Sequence, residues 1–241
     1  RKTVFMEESR IEVENGEEVS AAYHKAEPEK WIFFCHGYGT DKEGSYKMRA
    51  ERAAEEGFNA VRFTFRGNGK SDGEFIDQNL SSRIRDLKKL IEFFDPEKIF
   101  LFGMSFGGKV VLHASEELDV EGIIWKSPVL YNSEMDKFHE VVKEKGSYTH
   151  FDDKTIDERF FEDFQQYSFD AAAEKIDFPI AVFHGGDDST VKFENTADAV
   201  KELDNEVFLR KFEGETHFMT DKAEEKLVDE MMWWLKSENF S

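Results

Sequence analysis

The strongest constraint on this chain is a recurring pattern of short, continuous apolar runs separated by stretches with helical character. Trp31–Cys35, Ile99–Phe102, Gly122–Trp125 and Ile180–Phe183 are apolar on consecutive residues, Ala60–Phe65 is a similar run interrupted by Arg62 and Thr64, and a later strand is expected at Val207–Phe212. Consecutive apolar residues suit strands covered on both faces, because a strand with one wet face would alternate. Helical stretches are expected at Tyr46–Glu56, Ser81–Phe94, Phe106–Ser115, Val191–Leu203 and Ala223–Leu235. This alternation predicts an α/β fold with a mostly parallel, doubly wound sheet. Ahead of it, Thr3–Met6, Arg10–Glu14 and Val19–His24 read as short strands turning at Gly16, an antiparallel N-terminal hairpin.

One stretch departs from the rhythm. Leu130 to Asp170 is about twice the length a crossover needs. It carries Phe138, Tyr148, Phe151, Phe160, Phe161, Phe164, Tyr167 and Phe169 among many charges. It reads as one or two amphipathic helices forming a lid. The expected organisation is a first core segment at 1–129, a cap insertion at 130–170 and a second core segment at 171–241.

Composition narrows the function. With 32 Lys+Arg against 52 Asp+Glu, the formal net charge is −20. A nucleic-acid binder or a protein docked on anionic lipid needs clustered cations, so neither partner is expected. A single cysteine, Cys35, leaves no internal disulfide and no multi-cysteine zinc site. No 18-residue apolar run and no N-terminal apolar h-region is present, so a cytoplasmic location is expected. Apart from the one carboxylate that a catalytic site needs, nearly all the acidic residues are read as solvated surface on helix faces and the lid.

The chemistry centres on Gly103-Met-Ser105-Phe-Gly107, which follows an apolar strand and opens a helical stretch. A sharp strand-to-helix turn lifts a serine hydroxyl off the sheet at a helix N-terminus, and its glycine neighbours make room for it. A serine needs a base. Of seven histidines, His217 lies in a loop after the strand Val207–Phe212 and before the last helix, downstream of Ser105. His113 is too far along the helix after Ser105 to face the hydroxyl, and His139 and His150 fall in the expected lid, where surface placement is the default. The orienting acid should follow Ile180–Phe183, where Asp187 and Asp188 are adjacent.

With these motifs the chain resembles the α/β-hydrolase superfamily, and is most similar to small bacterial feruloyl and cinnamoyl esterases. Three further segments carry the resemblance: His36-Gly37-Tyr38-Gly39, Arg66-Gly-Asn-Gly-Lys-Ser-Asp-Gly73 and His184-Gly-x-x-Asp188-x-x-Val191. The resemblance implies Asp188 as the catalytic acid beside Ser105 and His217. It also implies backbone N–H groups of Tyr38 and Phe106 as the oxyanion hole, with His36 and His184 structural and the 66–73 segment shaping the loop beside the nucleophile. Phe106 stands where those esterases often carry glutamine, which makes the pocket wall more apolar. The implied activity is hydrolysis of carboxylic esters with small apolar or aromatic acyl groups, with no metal and no organic cofactor. A thioesterase, an acyltransferase, a small peptidase of the same fold, or a ligand-binding module with little turnover remain alternatives at this point.

Overall fold

The main sheet is built from strands of ten to five residues whose order explains where a site can form. The computed structural model describes residues 5–26, 29–150 and 153–237; part of the expected strand Thr3–Met6 and all of Phe151 lie outside them. The strands of the main sheet are β1 (Phe5–Glu14), β2 (Glu17–Lys25), β3 (Lys30–Cys35), β4 (Asn59–Thr64), β5 (Lys98–Met104), β6 (Gly122–Lys126), β9 (Ile180–Gly185) and β10 (Val207–Phe212). They lie in the order β1-β2-β4-β3-β5-β6-β9-β10. β1 and β2 form an antiparallel hairpin, β2 joins β4 antiparallel, and every pairing from β4 to β10 is parallel. The two strands expected at Thr3–Met6 and Arg10–Glu14 are one strand over the described residues, because Glu7–Ser9, which join them on the sheet edge, are polar and carry no apolar signal.

After β3 the chain crosses one way to β4, and after β5 it crosses the other way to β6. The strand order therefore switches between β3 and β5, which pair in register through Cys35 and Gly103. Loops leaving the two carboxyl ends diverge there and leave a crevice, the usual ligand position in such sheets. Both faces of the sheet are covered. On one face, α1 (Ser45–Glu55) and α8 (Asp221–Leu235) pack through Tyr46, Ala50, Leu227 and Met231 against Phe34, Phe100 and Phe102. On the other, α2 (Leu80–Phe94), α3 (Phe106–Ser115) and α7 (Phe193–Lys201) contribute Leu87, Val110 and Ala199 to a second core layer.

Between β6 and β9 the chain leaves the sheet and forms α4 (Asp136–Lys145), a hairpin of β7 (Ser147–His150) and β8 (Lys154–Asp157), α5 (Glu158–Phe164) and α6 (Phe169–Ala173). The hairpin was not expected from the sequence. Its aromatics are buried against the body of the protein: Phe160, Phe161, Phe164 and Phe169 join the α2–α3 core layer. Phe106, the first residue of α3, stacks on Phe164 at 5.8 Å and lies 5.7 Å from Phe160, so the excursion is seated on the Ser105 turn.

Candidate active site

Ser105 occupies the turn between β5 and α3 with φ 54° and ψ −122°, a conformation that costs a side-chain-bearing residue of order 1–3 kcal/mol. Three backbone hydrogen bonds hold it there. Its N–H donates to the Lys126 carbonyl (3.0 Å), and its own carbonyl accepts from Gly108 and Val129 (2.9 Å each). The flanking glycines are required by contact: a Cβ on Gly103 would come within 2.4 Å of the Gly107 carbonyl oxygen, and one on Gly107 within 2.4 Å of the Cys35 carbonyl oxygen. Strand, turn and helix are thus pressed together around one strained serine.

The β3 loop faces this turn. A Cβ at Gly37 would sit 3.3 Å from Ser105 Cβ. Beneath it, buried His36 accepts the Phe65 N–H at Nε2 (3.0 Å) and donates from Nδ1 to the Gly37 carbonyl (2.8 Å). Burial lowers its pKa to about 3, so it stays neutral and holds the loop in one register. Among the described residues, neither the Tyr38 nor the Phe106 N–H donates to a protein acceptor. For Phe106 this follows from its place as the first residue of α3, whose leading N–H groups have no intrahelical partner.

Asp188 and His217 meet after β9 and β10. His217 Nδ1 is 2.7 Å from Asp188 Oδ2, and Asp188 Oδ1 accepts the N–H groups of Thr190 and Val191 at 2.9 Å each. Burial opposes ionisation of Asp188. Hydrogen bonds from His184, His217 and the Val191 N–H outweigh it and hold the carboxyl well below the usual carboxylate range. Asp187 is exposed, and its N–H donates to the Glu215 carbonyl (2.9 Å). His184 is buried with Nε2 2.9 Å from the Val191 carbonyl and 3.4 Å from Asp188 Oδ2, so it braces the acid as well as the loop.

Ser105, His217, Tyr38 and Phe106 line one cavity of about 820 Å³. Phe138, Tyr148, His150 and Ile156 of the β6–β9 excursion wall its far side, and Phe218, 65% exposed, stands at its rim. Ser105 Oγ makes no hydrogen bond to His217 among the described residues; such contacts commonly tighten only when substrate binds. The remaining histidines differ partly from expectation. His113 pairs with Glu116 (2.7 Å) in α3, away from the cavity. His139 is not a surface residue: it is 7% exposed, stacked on Phe161 at 4.2 Å and bonded to Glu158.

The 66–73 segment does not line the Ser105 cavity. Arg66 pairs with Asp86 and Glu17 (2.8 Å each) and Glu14 (2.9 Å), tying the N-terminal hairpin to α2. Two polar features escaped sequence reasoning. At the cavity floor, buried Glu224 pairs with Arg49 (2.5 Å) and with Lys126, whose pKa burial lowers to about 8. In α2, Arg83 is wholly buried. Not every carboxylate is solvated surface: Asp86, Asp188 and Glu224 are buried. Among the described residues no cluster of three or more His, Cys, Asp or Glu is arranged to hold a metal ion, and no helix is long and apolar enough to cross a membrane.

Residues 26–152, just over half of the chain, match the family described as serine aminopeptidase S33. The human mitochondrial palmitoyl-protein thioesterase ABHD10 is 27% identical over 218 residues, covering 82% of this chain and 70% of that protein. Among solved structures, Est1E of Butyrivibrio proteoclasticus with bound ferulic acid superposes with a TM-score of 0.81 at 19% identity, covering 94% of this chain and 97% of that one. Mouse ABHD10 gives a TM-score of 0.81 at 18% identity, covering 95% of this chain and all of that one.

Proposed function

Because the chain belongs to the serine aminopeptidase S33 family of α/β-hydrolases, we propose that it cleaves carboxylic esters of small apolar or aromatic acids through an acyl-enzyme. The observation that carries this reading is a buried Asp188–His217 hydrogen bond and a strained Ser105 turn facing one cavity whose walls include Tyr38, Phe106, Phe138 and Tyr148. In the proposed reaction Ser105 Oγ attacks the acyl carbon and passes its proton to His217 Nε2. Nδ1–H of the same ring keeps donating to Asp188 Oδ2, whose charge stabilises the imidazolium as it forms. The oxyanion is received by the Tyr38 and Phe106 N–H groups, each such donor being worth about 10²–10³ in rate. Collapse breaks the ester C–O bond, the alcohol leaves with the proton from His217, and water reverses the sequence to free the acid.

A second reading uses the same residues on thioesters, where a thiol leaves in place of the alcohol. It is favoured by the human relative, whose name is that of a palmitoyl-protein thioesterase. The chain's compartment belongs to the same proposal: we place it in the cytoplasm, while the name of the human relative places that protein in the mitochondrion. The test is steady-state turnover of matched esters and thioesters of butyrate, palmitate and a hydroxycinnamate, with Ser105→Ala as the control. The reading expects turnover of the butyrate and hydroxycinnamate esters that Ser105→Ala abolishes. Turnover confined to thioesters establishes the second reading, and no turnover of any acyl donor by the folded protein defeats both.

A further inference from the structure

Arg83 lies where a hydrophobic residue is expected. In α2, Leu80, Arg83, Ile84, Leu87, Leu90 and Ile91 follow the 3-4-3 spacing of a buried face. The guanidinium is 0% exposed, and Nε, Nη1 and Nη2 all lack a protein acceptor among the described residues. No carboxylate among the described residues forms an ion pair with it. Asp86, one turn further on, spends Oδ1 on Arg66 Nε (2.8 Å) and Oδ2 on the Arg66 N–H (3.1 Å). An unpaired buried charge is costly, and stacking against aromatic faces offsets only part of the cost. The faces are those of Phe106, Phe75 and Phe65, with Cζ at 5.1, 5.3 and 5.6 Å from their centroids.

One of these rings, Phe106, lines the Ser105 cavity, and a second, Phe75, packs on Tyr38 of the same cavity. Phe106 carries one of the two free N–H groups. The ring of Tyr38, which carries the other, meets Phe75 at 5.0 Å and Phe106 at 6.2 Å. The Tyr38 hydroxyl is itself buried without a partner. The charge is felt on both sides of Gly37: it opposes the burial that raises the Tyr38 hydroxyl, and it adds to the burial that lowers His36.

We propose that Arg83 supplies the oxyanion hole with a fixed positive charge, set behind the Tyr38 and Phe106 amides, that stabilises the tetrahedral oxyanion through space. The inference rests on the serine-hydrolase reading above. Arg83 touches no substrate and is not a catalytic residue; it acts through the potential at the two amides and by holding their side chains. Asp86 acts on it from one turn away but is bonded to Arg66, and neither an acceptor nor solvent touches the guanidinium among the described residues, so its field is not fully cancelled where the negative charge develops. A unit charge about 10 Å away, acting through an effective dielectric constant near 20, alters an ionic transition state by about tenfold.

The experiment compares wild type, Arg83→Met and Arg83→Lys in kcat and KM for one neutral butyrate ester, in affinity for butylboronic acid, and in thermal unfolding. The boronic acid becomes a tetrahedral anion on the serine, whereas the ground-state ester is neutral. Arg83→Met is expected to lower kcat about tenfold and weaken boronate binding about tenfold while leaving KM unchanged. It is also expected to raise Tm, since an unpaired charge is replaced by an apolar side chain. Arg83→Lys, which keeps the charge, should restore most of both losses. If Arg83→Met loses stability or fails to fold, and Arg83→Lys loses kcat and boronate affinity just as far, Arg83 is a packing residue and the proposal fails. An active, boronate-binding wild type matched by Arg83→Met in both readouts overturns the proposal alone. A wild type that neither binds boronate nor turns over ester overturns the hydrolase reading, and this proposal with it.

Discussion

Replacing Asp188 with asparagine tests the site at the point where its geometry is most specific. The carboxylate divides its work between two oxygens. Oδ1 is fixed by the Thr190 and Val191 N–H groups at 2.9 Å each, and Oδ2 faces His217 Nδ1 at 2.7 Å. In Asp188→Asn the amide oxygen must stay with the two backbone donors, so the NH₂ group faces His217. Two donors cannot face each other, so Nδ1 gives up its proton and the ring carries it on Nε2, the atom that should accept from Ser105. An inverted tautomer of this kind costs about 10⁴ in kcat, or about 5.4 kcal/mol of transition-state stabilisation. Folding should suffer less, by roughly 1.5–3 kcal/mol for one charge-assisted hydrogen bond. Asp187 provides the control. It is exposed and engages the fold through its backbone, so Asp187→Asn should change kcat by less than about twofold. The assay is kcat and KM on a p-nitrophenyl butyrate substrate, with Tm measured on the same preparations. An Asp188→Asn variant that keeps a tenth of wild-type kcat, or an Asp187→Asn variant that collapses, refutes the assignment.

Two further outcomes follow from the packing and the buried histidines. Gly107→Ala places a Cβ against the carbonyl oxygens of Cys35 and His36, at 2.4 and 2.7 Å, so the Ser105 turn and the β3 loop must separate; kcat and Tm should fall together, with overpacking costing roughly 1–3 kcal/mol, and an unchanged kcat would contradict the contact. Burial holds the pKa values of His24, His36 and His113 at about 4, 3 and 4, below the unfolded value of 6.5. Because the unfolded chain takes up these protons first as pH falls, the stability these three histidines contribute is complete above pH 6.5 and is lost from there to about pH 3; urea midpoints that do not move between pH 7 and pH 4.5 would contradict this.

What the sequence disclosed depended on how a residue announces its surroundings. The strands β3, β4, β5, β6 and β9 were readable because they are buried on both faces, and α3 and β10 fall at Phe106–Ser115 and Val207–Phe212 as the pattern placed them. The Ser105 turn was readable because glycines crowd it. The β7–β8 hairpin was not, since its four-residue strands mix polar and aromatic residues. The available signal was Gly146, which ends α4 with φ 83°. Buried charges were illegible for a different reason. Arg49 and Glu224 are 175 residues apart, and Arg83 has the same letter as the exposed Arg85 two residues later. The available signal for Arg83 was its place on the apolar face beside Leu80, Ile84 and Leu87, whereas no spacing pairs Arg49 with Glu224. His139 was misplaced by the same logic, a polar residue in a charged segment that packs flat on Phe161.

The central claim is that Ser105 is a nucleophile activated at this turn. Intact-mass analysis after treatment with a fluorophosphonate, followed by peptide mapping, tests it most directly. The account predicts one adduct per chain, located on Ser105, and none on folded Ser105→Ala. A folded wild type that stays unlabelled, or an adduct that persists in Ser105→Ala, would contradict it.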